Sequence, residues 1–165
     1  MAAMQALTRP ALARRIIDRT LYLTLATAGA DGMPWCTPVY TAFSTRYEFY
    51  WGSGRDAQHS RNIRENPHVG AVLYDSSAIE GSGEGVYMKG LAQELSPDEC
   101  EEGLNVLRTR SAMADTFYPL QFYLKDTSVR IYRLQPSDFY MLMPGGDPDS
   151  GAYTDKRERI DVFGV

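Results

Sequence analysis

Residues 21 to 43 read LYLTLATAGADGMPWCTPVYTAF, and they leave few folds open. LYLTLAT alternates at period two and places Leu21, Leu23 and Leu25 on one face of a strand. AGADGMP supplies a hairpin turn, with Asp31-Gly32 as its strongest signal. WCTPVYTAF, residues 35 to 43, returns as a second strand; Ser44-Thr45-Arg46 turns again, and YEFYWGS is a third. Connections this short join antiparallel neighbours.

The rest of the chain extends the pattern. A short helix is expected from about Asp56 to Glu65, closed by Asn66-Pro67. HVGAVLYD and VYMKGLAQEL read as strands, with SSAIEGSGEG as a mobile loop between them. Thr8 caps an opening helix with Pro10 in its first turn and Leu12, Ile16 and Ile17 as its apolar stripe. Ser96-Pro97-Asp98-Glu99 starts another helix, which runs to about Arg110 with Cys100, Leu104 and Leu107 on one face. LQFYLKD and SVRIYRLQP are expected as closing strands. From residue 144 to 165 the chain is polar and turn-rich and reads as a flexible tail, so residues 1–143 form the domain. Six or seven short strands with few helices predict a mainly β fold with flanking helices, curled into a small closed or nearly closed antiparallel barrel.

Composition narrows the function. The 165 residues are 44% hydrophobic and 23% charged, the balance of an ordinary soluble domain. A net charge of -4 argues against general binding to nucleic acid or anionic lipid. No stretch is apolar enough to span a membrane, and MAAMQALTRPALARR lacks the apolar centre of a signal peptide. Cys36 and Cys100 lie on different elements and demand no disulfide, so a cytoplasmic protein is expected. Two histidines and two cysteines on scattered elements show no metal-ligand spacing. In YEFYWGS, Tyr47, Phe49 and Trp51 alternate with Tyr50. Aromatic residues on both faces imply a second buried surface, most simply that of a homodimer.

Two features stand out against this background. The first is WGSGRDAQHSRNIRENP, residues 51 to 67, where positive charge and hydroxyls gather on an acidic chain. With Asp56 as N-cap, the helix would begin just after Gly-Ser-Gly-Arg, and its free N–H groups would make an anion site. Gly52 and Gly54 would admit the anion to the backbone, and Ser53 would add a hydroxyl. His59, Asn62 and Ile63 share a helix face; Ile63 should anchor it, leaving His59 and Asn62 at its edge, while Arg61 points elsewhere. The competing reading is a solvated helix with ordinary arginines. The second feature is Pro38 inside a strand, where a missing N–H marks a sheet edge, a bulge or a surface for a planar ligand.

The ordered series resembles the pyridoxamine 5'-phosphate oxidase-like family of FMN-binding split barrels, from roughly Leu21 to Leu142. It rests on LYLTLAT with its A-x-x-DGMP turn, then W-C-T-P-V, Y-W-G-S, HSRNIRENP and V-G-A-V-L. The resemblance implies a six- to seven-stranded antiparallel split β-barrel binding FMN. It implies that Trp35, Cys36, Thr37, Pro38 and Val39 line the isoalloxazine ring, largely through backbone groups. Trp51 and Ser53 would lie by the ribityl phosphate, and His59, Ser60, Arg61 and Asn62 would hold the phosphate. Many members have lysine where this chain has His59, whose pKa should rise beside a phosphate; Arg55 and Arg61 could compensate. Flavin sites between two subunits are implied, with Tyr87 and Lys89 as candidate contacts from the second chain.

The activity implied is that of an oxidoreductase moving a hydride to or from a small-molecule substrate, with no catalytic side chain of its own standing out. His68 reads as structural or exposed, Cys36 as a small packing residue and Cys100 as core. The family name does not name the substrate. The alternatives are a reductase using a deazaflavin coenzyme, and a flavin- or haem-binding protein without turnover.

Overall fold

The computed structural model describes residues 7–79, 84–112, 114–125, 127–142 and 156–164. Helix α1, Arg9–Arg19, starts where Thr8 Oγ1 accepts from the Ala11 amide and turns Ala13 and Ile17 into the core. Strands β1 (Tyr22–Ala28), β2 (Pro34–Tyr40), β3 (Ala42–Phe43) and β4 (Phe49–Gly54) follow. Helix α2 spans Gln58–Glu65, and β5 (His68–Tyr74) and β6 (Gly85–Glu94) come next. Helices α3 (Cys100–Arg110) and α4 (Leu120–Leu124), the latter after a short 3-10 turn, precede β7 (Val129–Leu142) and β8 (Arg157–Ile160).

All strand pairs are antiparallel, in the order β2-β1-β5-β6-β7-β4-β3, with β8 also on β7. The expected strand 35 to 43 is divided at Thr41, and that division curls the sheet. β2 lies at one end of the sheet and β3 at the other. Thr41 joins them: its amide donates to the Leu21 carbonyl (3.0 Å) and its hydroxyl to the Tyr50 carbonyl (3.0 Å). The result is the half-barrel with flanking helices that the strand pattern implies. β7 takes Pro136 without losing its partner because the register with β6 shifts between Lys89 and Gly90. A Cβ on Gly90 would sit 2.2 Å from the Gln135 carbonyl oxygen, so that bulge requires glycine.

The barrel interior holds Leu23, Leu25, Phe49, Leu73, Val86 and Leu134, with Trp51 stacked on Tyr132 at 5.7 Å. Leu21 precedes the strand and is 46% exposed, unlike its expected partners on that face. A second apolar cluster, with Tyr50, Cys100, Leu104, Leu107 and Ile131, lies under α3. The two-sided aromatic pattern of YEFYWGS is therefore satisfied within one chain. Phe49 and Trp51 face the barrel, and Tyr50 faces α3.

Other expectations are corrected. LQFYLKD is not a strand: Leu120–Leu124 is a helical turn that follows Pro119 and buries Tyr123 against α3. Its alternating Leu, Phe and Leu mimicked period two, whereas packing uses a helical spacing. The polar end is not all tail. β8 pairs with β7 over Phe139↔Ile160 to Leu142↔Arg157, Val162 is buried in the barrel core, and Arg14 Nη1 donates to the Val162 carbonyl at 3.0 Å. Residues 143–155 lie outside the described residues, as do Glu80, Gly81, Ser82 and Gly83 of the expected loop.

Candidate functional site

Register assembles the polar cluster. Pairing sets Trp51 against Tyr132 and Ser53 against Arg130, and Glu94 of β6 against Tyr132. These side chains share one face of the sheet, and α2 packs beside it. The helix begins later than expected. Its N-cap is Ala57, with no side-chain cap, because Asp56 lies in the preceding turn closed by Ala57 N–H to the Gly54 carbonyl (3.1 Å). The first-turn N–H groups of α2 thus lack a capping side chain. A Cβ at Gly52 would meet nothing within 4 Å, and one at Gly54 nothing nearer than 3.9 Å, so packing demands neither glycine.

Beside that helix start, Ser53 Oγ lies 2.8 Å from His59 Nε2. His59 is 5% exposed, not at the edge of the helix face, and burial depresses its pKa, so the imidazole is neutral at pH 7. Asn62 is buried as well. It donates to Thr27 Oγ1 at 3.0 Å and accepts from Gln58 Nε2 at 2.7 Å, while Thr27 Oγ1 faces the Trp35 carbonyl at 3.4 Å. Glu65 accepts from the Ala30 amide at 2.9 Å. α2 is therefore latched to the β1–β2 hairpin. Ser60 is fully buried beneath the helix. Arg61 is turned outward, donating to the Asp56 carbonyl and to Gln58 Oε1.

The positive charge lies elsewhere in the motif. Arg55, Asp56, Arg64, Thr127 and Ser128 line an open cleft of about 330 Å³. Arg64 Nη1 holds the Arg55 carbonyl at 2.7 Å. Behind the cleft, Glu94 lies 3.2 Å from Arg130 Nε and 3.7 Å from Arg55 Nε. The Tyr132 hydroxyl donates to Glu94 at 3.4 Å; burial raises the pKa of that phenol. Glu94, Arg130, Tyr132 and Thr27 were absent from the sequence reading. Their signal was faint: Arg130 and Glu94 are charges at positions in phase with buried neighbours of their strands.

The other half of the candidate site is β2. Because the Thr41 amide bonds to Leu21 and the register steps evenly, the backbones of Trp35, Thr37 and Val39 face β1. Those of Cys36, Pro38 and Tyr40 face the free edge. Pro38 therefore sits where its missing N–H leaves no ladder partner unpaired. Trp35, Cys36 and Pro38 are exposed, Val39 points into the barrel core, and the buried Thr37 hydroxyl has no partner. Cys100 is buried under α3 and His68 is exposed at the start of β5. Among the described residues no His, Cys, Asp or Glu cluster could hold a metal, and no helix is long and apolar enough to cross a membrane.

An antiparallel split barrel with an arginine-bearing cleft at the start of its small helix is the class that this geometry defines. The sequence profile of pyridoxamine 5'-phosphate oxidase matches residues 10–142, and the chain belongs to that family. No curated protein matches the chain significantly. Among solved structures it is similar to a haem binding protein from Mycobacterium smegmatis, with 18% identity and a TM-score of 0.70, covering 95% of this chain and 59% of that one. It is similar to HutZ, the haem storage protein of Vibrio cholerae, with 18% identity and a TM-score of 0.62 over 75% of this chain and 87% of that one. It is also similar to a Listeria innocua protein named for pyridoxamine 5'-phosphate oxidase, with 18% identity and a TM-score of 0.60 over 82% and 98% of the two chains. At these identities the likeness is one of fold.

Proposed function

We propose that this protein binds FMN and serves as an oxidoreductase for a small molecule, working as a homodimer. The observation that carries the reading is the Ser53–His59 pair at the uncapped start of α2, beside Arg55 and Arg64. A hydroxyl, an imidazole, free helix N–H groups and guanidinium groups form the donor set that a terminal phosphate needs. The exposed, uncharged edge of β2 would take the flavin ring, with the amides of Cys36 and Tyr40 and the carbonyls of Cys36, Pro38 and Tyr40 available along it. Bound FMN would supply the hydride-transfer chemistry itself. The chain's own residues would hold the phosphate, orient the ring and shield one face from water.

The dimer is supported by the sheet surface, now that α3 accounts for Tyr50. β1 and β2 contain no charged residue in YLTLATA and PWCTPVY, yet Tyr22 and Trp35 are 59% and 48% exposed. An uncharged edge strand beside exposed aromatics invites strand addition unless it is covered. On the outer face Tyr87 and Lys89 stand in the same cross-strand rows as Pro38 and Cys36, so a second copy covering that face would meet them.

The test compares FMN with riboflavin, which lacks the phosphate. Each charge-assisted contact is worth about 1.5–3 kcal/mol. Arg55→Ala combined with His59→Ala should then weaken FMN roughly a hundredfold and leave riboflavin affinity nearly unchanged. Equal loss of both ligands would remove the phosphate reading. A Soret band in the purified protein, without flavin absorbance, would replace flavin by haem.

A further inference from the structure

Glu94 stands where the oxygens of an anionic ligand would be welcome. Its carboxylate bridges Arg130 Nε at 3.2 Å and Arg55 Nε at 3.7 Å and accepts from Tyr132. The two arginines are not equivalent. The Arg130 side chain is 12% exposed and is pinned by Nη1 to the Thr127 carbonyl (2.6 Å) and the Val129 carbonyl (2.8 Å). The Arg55 side chain is 43% exposed at the mouth of the cleft, and its contact with Glu94 is the longer one. A half-exposed ion pair at that distance is weakly held, so Arg55 is the guanidinium that can swing. A phosphate monoester carries a charge of about -1.5 to -2 at pH 7. Such a ligand beside Ser53 and His59 attracts Arg55 more strongly than one carboxylate does, and Glu94 repels it. Around the cleft, three guanidinium groups (Arg55, Arg64 and Arg130) meet two carboxylates (Asp56 and Glu94). Glu94 thus cancels charge that a dianion would use.

We infer that Glu94 is a specificity-determining residue of this site, holding Arg55 while no ligand is bound and limiting how far a dianionic phosphate is preferred over a neutral ligand. The inference rests on the phosphate reading above. A Glu94 that served only to hold β6 to β7 through Arg130 predicts the reverse, since its loss would loosen the site and weaken every ligand.

Glu94→Gln keeps the shape and removes the charge. FMN should bind this variant about fivefold or more tightly than it binds the wild type, with riboflavin unchanged. FMN binding that is equal or weaker in folded Glu94→Gln overturns the inference. Arg55→Gln keeps it falsifiable should Glu94→Gln fail to fold, because Arg55 is on the surface. That variant should lose FMN affinity severalfold while riboflavin stays the same, and wild-type FMN affinity in Arg55→Gln would show that the arginine is never released. Inorganic phosphate, read as protection against thermal unfolding, separates this inference from its parent. Stronger protection of Glu94→Gln than of wild type, with FMN bound by neither, would support Glu94 and remove the flavin. Tight FMN binding with no difference between the two proteins in either assay would keep the flavin and remove Glu94.

Discussion

The two ends of the candidate site follow opposite plans. At the start of α2, charge is concentrated and already partnered: Arg55 and Arg130 with Glu94, Arg64 with the Arg55 carbonyl, Arg61 with the loop before the helix. Along β2, seven residues carry no charge, and Trp35, Cys36 and Pro38 lie open. The helix end is suited to a small anion and the strand end to a flat apolar surface. A buried hydrogen bond from Asn62 to Thr27 holds the two ends at a set spacing. A ligand that is ionic at one end and planar at the other is the shape this division fits. The division also explains why the two ends should respond differently to mutation.

The largest effect separates the inside of β2 from its outside. Val39→Asp would bury a carboxylate in the barrel core, costing about 3 kcal/mol or more, and should abolish the cooperative melt seen by circular dichroism. Cys36→Asp places the same charge on the exposed face. It should leave a folded chain whose mass by light scattering falls from about twice 18.5 kDa to a single chain. A well-folded Val39→Asp protein would break the inside–outside division of the strand.

A smaller effect belongs to His59. Burial lowers its pKa below 6.5, so the unfolded chain takes up a proton before the native one does. Its contribution to stability is complete above pH 6.5 and is lost as pH falls from there through the native pKa. Denaturant midpoints measured from pH 7.5 to pH 5 should decline, and His59→Gln should flatten that decline. An unchanged slope in His59→Gln would mean that another group governs it. FMN, by raising the native imidazole pKa toward its unfolded value, should shrink the decline in wild type.

The smallest effect is expected at Arg61, which the resemblance placed on the phosphate. Its guanidinium serves the Asp56 carbonyl and Gln58 on the exposed side of the helix. Arg61→Ala should change the unfolding free energy by less than about 0.5 kcal/mol and FMN affinity by less than Arg55→Ala does. A larger loss of FMN in Arg61→Ala would return it to the phosphate and redraw the cleft.

Period two in LYLTLAT and HVGAVLYD, the Asp31-Gly32 turn and the Thr8 cap of the first helix were legible in the sequence because each depends on a few adjacent residues. Pro38 told of an edge for the same reason: a missing amide is a local fact. The basic motif at residues 51 to 67 announced a cluster, yet not its partners. Only the curled sheet decided that Ser53 meets His59, that Asn62 turns to Thr27, and that Glu94 reaches Arg55 and Arg130 from strands far apart in the chain. Only packing decided that α3 covers Tyr50 and that the polar end returns as β8. Local pattern sets which residues form an element and which way they alternate. Register and curvature, which depend on the whole core closing at once, set which side chains share a pocket.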